Sequence, residues 1–157
     1  MERVNDVPQP NMGRSSCWAD FPTFVCNSRG NLLDEFNRLA NETNWSKKEC
    51  AEERAKCYAA EFHFHFVKGK TKLEMWQDFC DEVEMVKIPK STAKCKKALN
   101  GVLVNLINLI DRCRDPDVKL VKFASYTQFC RYTQKNLFPK QSAKSSLFLK
   151  TLLRVVF

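Results

Sequence analysis

His63 and His65 are the two histidines of the chain, and they stand two residues apart in "EFHFHF". On a strand both imidazoles would face the same side and could share a zinc ion. On a helix, positions two apart diverge by about 200°, too far to meet one ion. The preceding "AEERAKCYAAEF" carries a helical pattern, so the helix is expected, with no metal and no cofactor. Carboxylates at Glu61, or at Asp78 with Asp81 and Glu82, could form an acid–base pair. At those spacings they more often make the solvated face of a helix. The chain holds no G-x-S-x-G, P-loop, G-x-G-x-x-G or H-E-x-x-H motif. No catalytic residue is therefore assigned, and an enzyme is the less favoured class.

The eight cysteines form no C-x-x-C pair. Cys80, Cys95, Cys113 and Cys130 fall where the helical pattern places apolar residues, so each reads as a small buried hydrophobe with a free thiol. Cys50 and Cys57 lie seven apart on one helix face, too far to bridge. Cys17 and Cys26, in the looser N-terminal stretch, are the pair expected if a disulfide exists.

Charge is the most informative feature. Residues 1–84 carry 11 basic and 15 acidic side chains, whereas residues 85–157 carry 15 basic and 3 acidic. The second half is thus net +12 against −4 for the first. Such a separation builds a field that attracts an anionic partner, which evenly spread lysines would not do. Lys94, Lys96 and Lys97 stand together, and Lys140, Lys144, Lys150 and Arg154 punctuate the C-terminal stretch. These seven are the candidate anion-binding residues. Tyr126, Tyr132 and Phe138 lie among the basic positions, where aromatic faces can stack nucleobases. The alternative is that these rings belong to the core and that acids from residues 34–84 neutralise the lysines.

The elements that must position these groups follow from capping and periodicity. Leu32, Leu33, Phe36, Leu39 and Ala40 share a face behind Asn31, which predicts a helix over about 32–43. Ser46 and Glu49 make a capping box for a second helix to about Val67. Thr71 and Glu74 repeat the box ahead of the stripe Leu73, Trp76, Phe79, Cys80 and Val83. Ser91 caps a helix with Ala98 and Leu99 turned inward, ending at Asn100-Gly101, where glycine adopts a left-handed conformation without a Cβ clash. Asn105 caps a short helix from Leu106 to about Arg112, although one kinked helix through Gly101 is the other solution. Ser125 and Gln128 open a helix to about Asn136. Pro139 interrupts, Ser142 restarts, and Leu149, Leu152, Leu153 and Val156 form a last apolar stripe. Residues 1–28, with three of the six prolines, read as a flexible arm. The expected fold is all-α, a compact single domain of six or seven short helices over 29–157. A chain of this length buries roughly 70% of its unfolded surface and can hold one core.

No stretch approaches the roughly 18 apolar residues of a bilayer span, and "MERVNDVPQPNMGRSSCW" has no apolar signal region. The expected location is intracellular, the nucleus included. Secretion follows instead if a signal peptide once preceded this sequence.

Several stretches in their order resemble small uncharacterised helical-domain proteins widespread in ascomycete fungi. They are "LDEFNRLANETNW", "AAEF", "LEMWQDFC", "STAKCKKAL", "VNLINLID", "FASYTQFCRYT" and "LFPKQSAKSSLFLKTLLRVVF". The likeness spans about 33–157 and implies a compact helical domain with no activity to transfer. The functional expectation is a small basic binding module whose C-terminal half engages an anionic partner, nucleic acid or an acidic protein surface, with nucleic acid first. The other expectation is a fungal protein-interaction or effector-like module that binds no nucleic acid.

Overall fold

A computed structural model describes residues 16–156, leaving aside the side chains of Ser16, of 143–145 and of 153–156. The described chain is all-α, without a strand: α1 (Ser16–Ala19), α2 (Leu32–Thr43), α3 (Lys47–Phe66), α4 (Lys72–Glu82), α5 (Thr92–Leu99), α6 (Leu106–Arg114), α7 (Tyr126–Lys135), a 3-10 helix (Lys140–Ser145) and α8 (Leu147–Val156).

Local chemistry sets most boundaries. The Ser46 and Thr71 hydroxyls accept from the Glu49 and Glu74 amides, and those carboxylates accept from the Ser46 and Thr71 N–H groups, closing both capping boxes. Ser91 and Asn105 cap α5 and α6 by the same side-chain contact to the amide three residues on. Gly101, at φ +85°, separates those two helices, so the kinked alternative is not adopted. At α7 the Ser125 hydroxyl accepts from the Gln128 amide, but the Gln128 carboxamide reaches past the cap to the Ala124 N–H. Ser142 does not start the last helix. It lies within the 3-10 turn, where its hydroxyl donates to the Ala55 carbonyl at 2.7 Å. Ser146 accepts from the Leu149 amide instead, and α8 begins one residue later.

Twenty residues at 1.5 Å each make α3 a rod of about 30 Å, and the other elements gather around it. It touches α1, α2, α4, α6 and the 3-10 helix; α5 lies on α4, and α8 closes over α5. The core holds Phe36, Leu39, Tyr58, Phe62, Phe66, Trp76, Phe79, Leu99, Leu106 and Leu109, all 1% exposed or less. Phe148, Leu149 and Leu152 dock α8 into it. The remaining positions of that stripe, Leu153 and Val156, lie outside the described side chains. Leu73 and Ala98 depart from the inward positions expected of them, because α4 and α5 meet through Phe79, Cys80, Cys95 and Leu99 and leave both at the surface.

The expected arm lies partly outside the described residues. From Ser16 onward the chain is packed: Cys17, Trp18, Phe24 and Cys26 are buried, and Trp18 stacks on Phe24. The expected Cys17–Cys26 pairing is not formed. Cys17 bonds Cys57 of α3, with Cα atoms 4.8 Å apart. Cys26 is a free buried thiol, and Cys50, Cys80, Cys95, Cys113 and Cys130 are free as well.

Two buried asparagines and an aspartate of α6 organise its neighbours. The Asn105 amide donates to the Asn136 carbonyl, holding the end of α7. Asn108 donates to the Lys119 carbonyl and accepts from the Val121 N–H, pinning the extended stretch after α6. The Asp111 carboxylate accepts from the Leu32 N–H at 2.8 Å and from the Asn31 amide at 3.0 Å, so it completes the N-terminal cap of α2. Burial raises the Asp111 pKa to about 6 despite the Leu32 N–H and the Arg114 charge.

A folded pKa above the ordinary 3.8 means that the native state holds this proton more tightly than the unfolded chain. Stability should therefore rise as pH falls from about 6 towards 3.8, by up to about 3 kcal/mol from this group. Glu49, Glu61 and Asp115 are held below their usual range, so their contributions persist until more acidic pH. Guanidinium midpoints should consequently be higher at pH 5 than at pH 7. Asp111→Asn should flatten that dependence, and equal slopes for the two proteins would contradict the assignment.

Candidate anion-binding face

Helix α5 turns Cys95 and Leu99 inward, which leaves Lys94 and Lys97 exposed and Lys96 half-buried. The Lys96 ammonium lies over Trp76 of α4, with Nζ 5.3 Å from the ring centroid. This cation–π contact holds the charge against the indole face. Trp76 in turn meets Phe148 of α8 edge-on at 4.8 Å. Lys150 follows two residues later, exposed on the side of α8 away from Phe148 and Leu149. Trp76 of α4 thus meets both Lys96 of α5 and Phe148 of α8, and α5 and α8 pack as neighbours. Lys140 is exposed at the start of the 3-10 helix, which packs on α8 and α3. Lys144 and Arg154 lie outside the described side chains.

Among the described residues, ion pairing occupies some of the basic side chains and leaves others open, among them Lys87, Lys90, Lys119, Arg131 and Lys135 as well as the lysines of α5 and α8. Arg112 reaches Glu82 and Glu84, Lys122 reaches Glu84, Lys70 reaches Asp78, and Arg29 bridges Asp115 and Asp117. The acidic half therefore does neutralise part of the basic half, at Arg112, Arg114 and Lys122. Among the described residues no ion pair engages Lys94, Lys96, Lys97, Lys140 or Lys150.

The aromatic residues divide. Phe138 packs against Tyr58 and Phe62, and Tyr132 is half-buried against Phe123, so neither presents a free face. Tyr126 is 65% exposed on α7, five residues before the exposed Arg131. The tethers of α7 run to α6 through Asn105, apart from the α5–α8 pair.

The histidines do not converge. His63 is exposed on α3, while His65 lies inward with Nε2 2.9 Å from Glu61 Oε2. Glu61 is the centre of a buried network that the sequence did not reveal. It also accepts from the Trp18 indole N–H and from Arg114 Nη1, the latter at 2.8 Å. Burial pushes its pKa up, but the His65 contact, the Arg114 charge and the Trp18 N–H outweigh that and hold the carboxyl below its usual range. A carboxylate so committed to donors is a structural anchor rather than a poised proton acceptor. Burial also raises the thiols of Cys26, Cys80 and Cys113, the last two to about 12, which disfavours the nucleophilic thiolate. Asp78 is taken by Lys70, and Asp81 faces solvent. Among the described residues, no group of three or more His, Cys, Asp or Glu side chains is gathered in a way that could hold a metal. Among the described residues no helix is long and apolar enough to cross a membrane.

No protein-family model matches the chain, and neither does any curated protein or solved structure at a significant level.

Proposed function

We propose that this domain is a binding module whose α5–α8 face docks an anionic partner, nucleic acid first. The observation that carries the proposal is the set of lysines on α5 and α8 without an ion-pair partner, on adjacent helices, while Arg112, Arg114 and Lys122 of the same basic half are paired. Like charges held together without internal neutralisation repel one another. A polyanion relieves that repulsion and gains from the release of its own counterions. Lys94, Lys97 and Lys150 carry the charge, and Lys96 anchors α5 on Trp76.

Anisotropy titration of labelled single- and double-stranded oligonucleotides, from roughly 50 to 200 mM salt, tests this. Affinity should fall steeply with salt. Lys94→Glu with Lys97→Glu and Lys150→Glu should weaken binding more than tenfold and reduce the salt slope by roughly 2 to 3. All three side chains are exposed, so the variant should keep its circular dichroism. Equal binding by the variant would remove the face from consideration.

A second reading is favoured by a separate observation. The Cys17–Cys57 bond suits an oxidising compartment, which supports a secreted protein-interaction module of effector type over an intracellular one. In that case the oligonucleotides would bind weakly, and affinity for a protein partner would change little with salt.

A further inference from the structure

Where the end of α7 passes over α3, a cleft of about 200 Å³ remains open. Leu33, Ile107 and Leu137 supply apolar walls, Arg54 and Tyr58 of α3 form its inner side, and Lys135 stands at the rim. The Arg54 guanidinium lies over the Phe36 ring, its carbon 5.3 Å from the centroid. Its Nε is buried and makes no hydrogen bond among the described residues, and no described carboxylate forms an ion pair with Arg54. Of the two aspartates that act on the neighbouring Tyr58, Asp111 is occupied by Leu32 and Asn31, and Asp34 is exposed on α2. The Tyr58 hydroxyl also lacks a hydrogen-bond partner among the described residues. Burial raises its pKa to about 12, so it keeps its proton and can donate.

An unsatisfied buried donor on a charged group is costly, and the free edge of a guanidinium offers two parallel N–H groups that match the two oxygens of a carboxylate. We propose that this cleft binds a small organic carboxylate, with the anion on Arg54 and an apolar body against Leu33, Ile107 and Leu137. A single inner cation, with Gln134, Asn136 and Lys135 towards the α7 side and apolar residues elsewhere, suits a monoanion better than a phosphate dianion. At about 200 Å³ the cleft is somewhat larger than the roughly 150 Å³ cavity that accepts benzene, enough for an aromatic ring with its substituent. The site is separate from the α5–α8 face and stands whether or not that face binds nucleic acid.

The probe is benzoate, with benzamide as its neutral counterpart of the same shape. Benzoate should shift the Arg54 Nε–H resonance saturably in a nitrogen–proton correlation spectrum, and benzamide should bind roughly tenfold or more weakly. Arg54→Gln should weaken benzoate binding roughly ten- to hundredfold, the scale of a charge-assisted hydrogen bond. Leu137→Glu, at a 63% exposed rim position, supplies a variant that need not disturb the core. Its added carboxylate should weaken benzoate more than benzamide, since both lose the apolar contact at this wall and benzoate alone meets the new charge. An unperturbed Nε–H, equal binding of the two probes, or full affinity in both variants would overturn the assignment.

Discussion

Arg114→Met should lower the stability of the domain by about 3–5 kcal/mol, a large part of the roughly 5–15 kcal/mol typical of a whole domain. The side chain is only 4% exposed and Glu61 only 2%, so solvent cannot replace what is lost. Arg114 donates to Glu61 Oε1 at 2.8 Å, to the Gly30 carbonyl at 2.8 Å and to the Asn27 carbonyl at 2.7 Å, and its guanidinium lies over Trp18. Methionine fills similar space but leaves two carbonyls and a buried carboxylate short of donors. Removing one partner of a buried pair exposes the full desolvation cost of the other, whereas removing both is cheaper. Glu61→Leu added to Arg114→Met should therefore recover part of the loss, a non-additivity that denaturant midpoints of the two singles and the double would read. A single variant that unfolds at the parent midpoint would show that the network contributes nothing. Arg114→Lys should fall between, because an ammonium keeps the charge without the fork that serves three acceptors.

The second large effect belongs to the Cys17–Cys57 bond. It closes a loop with a sequence separation of 40, for which the loss of unfolded-state freedom is worth about 4 kcal/mol. Reduction, or Cys17→Ser with Cys57→Ser, should lower Tm by roughly 10 °C for a domain of this size. Thiol titration of the denatured protein should give six sulfhydryls before reduction and eight after it. Eight at the outset, with melting indifferent to reductant, would contradict the bond.

What the sequence disclosed is chemistry that acts over three or four residues. The serine and threonine caps at 46, 71, 91 and 125 each need an amide three residues on, and Gly101 needs only its own φ. Those signals placed the starts of α3, α4, α5 and α7 and the break before α6. Side chains with distant partners were misjudged. Cys17 and Cys26 stand close in sequence, yet α1 carries Cys17 to Cys57, and Cys26 ends beside Arg114, 3.4 Å from its Nη2. Phe138 resembles a stacking residue between basic neighbours until the turn at Pro139 folds it onto Tyr58 and Phe62. The lysines of α5 were recognisable as a cluster. That Lys150 should lie on the neighbouring helix depended on Trp76 meeting Phe148 across 72 positions, which no local pattern encodes.

The order in which the chain emerges from a ribosome gives the Arg114 network a temporal side. Cys17 can meet Cys57 as soon as α3 is available, before any of α6 has been made. Residues 26–30 close only local contacts early, the Asn27 N–H to Glu35 and the Gly30 N–H to the Asn27 carbonyl, while the Arg114 donors lie 84 to 88 positions downstream. At about 5–20 residues per second, the interval between Cys57 and Arg114 lasts roughly 3–11 s. An oxidant met during that interval would find the thiols of Cys26 and Cys50 beside the native pair, joined by Cys80, Cys95 and Cys113 as they emerge. Arg114, once made, sets its Nη2 3.4 Å from the Cys26 sulfur and withdraws that thiol from the exchange.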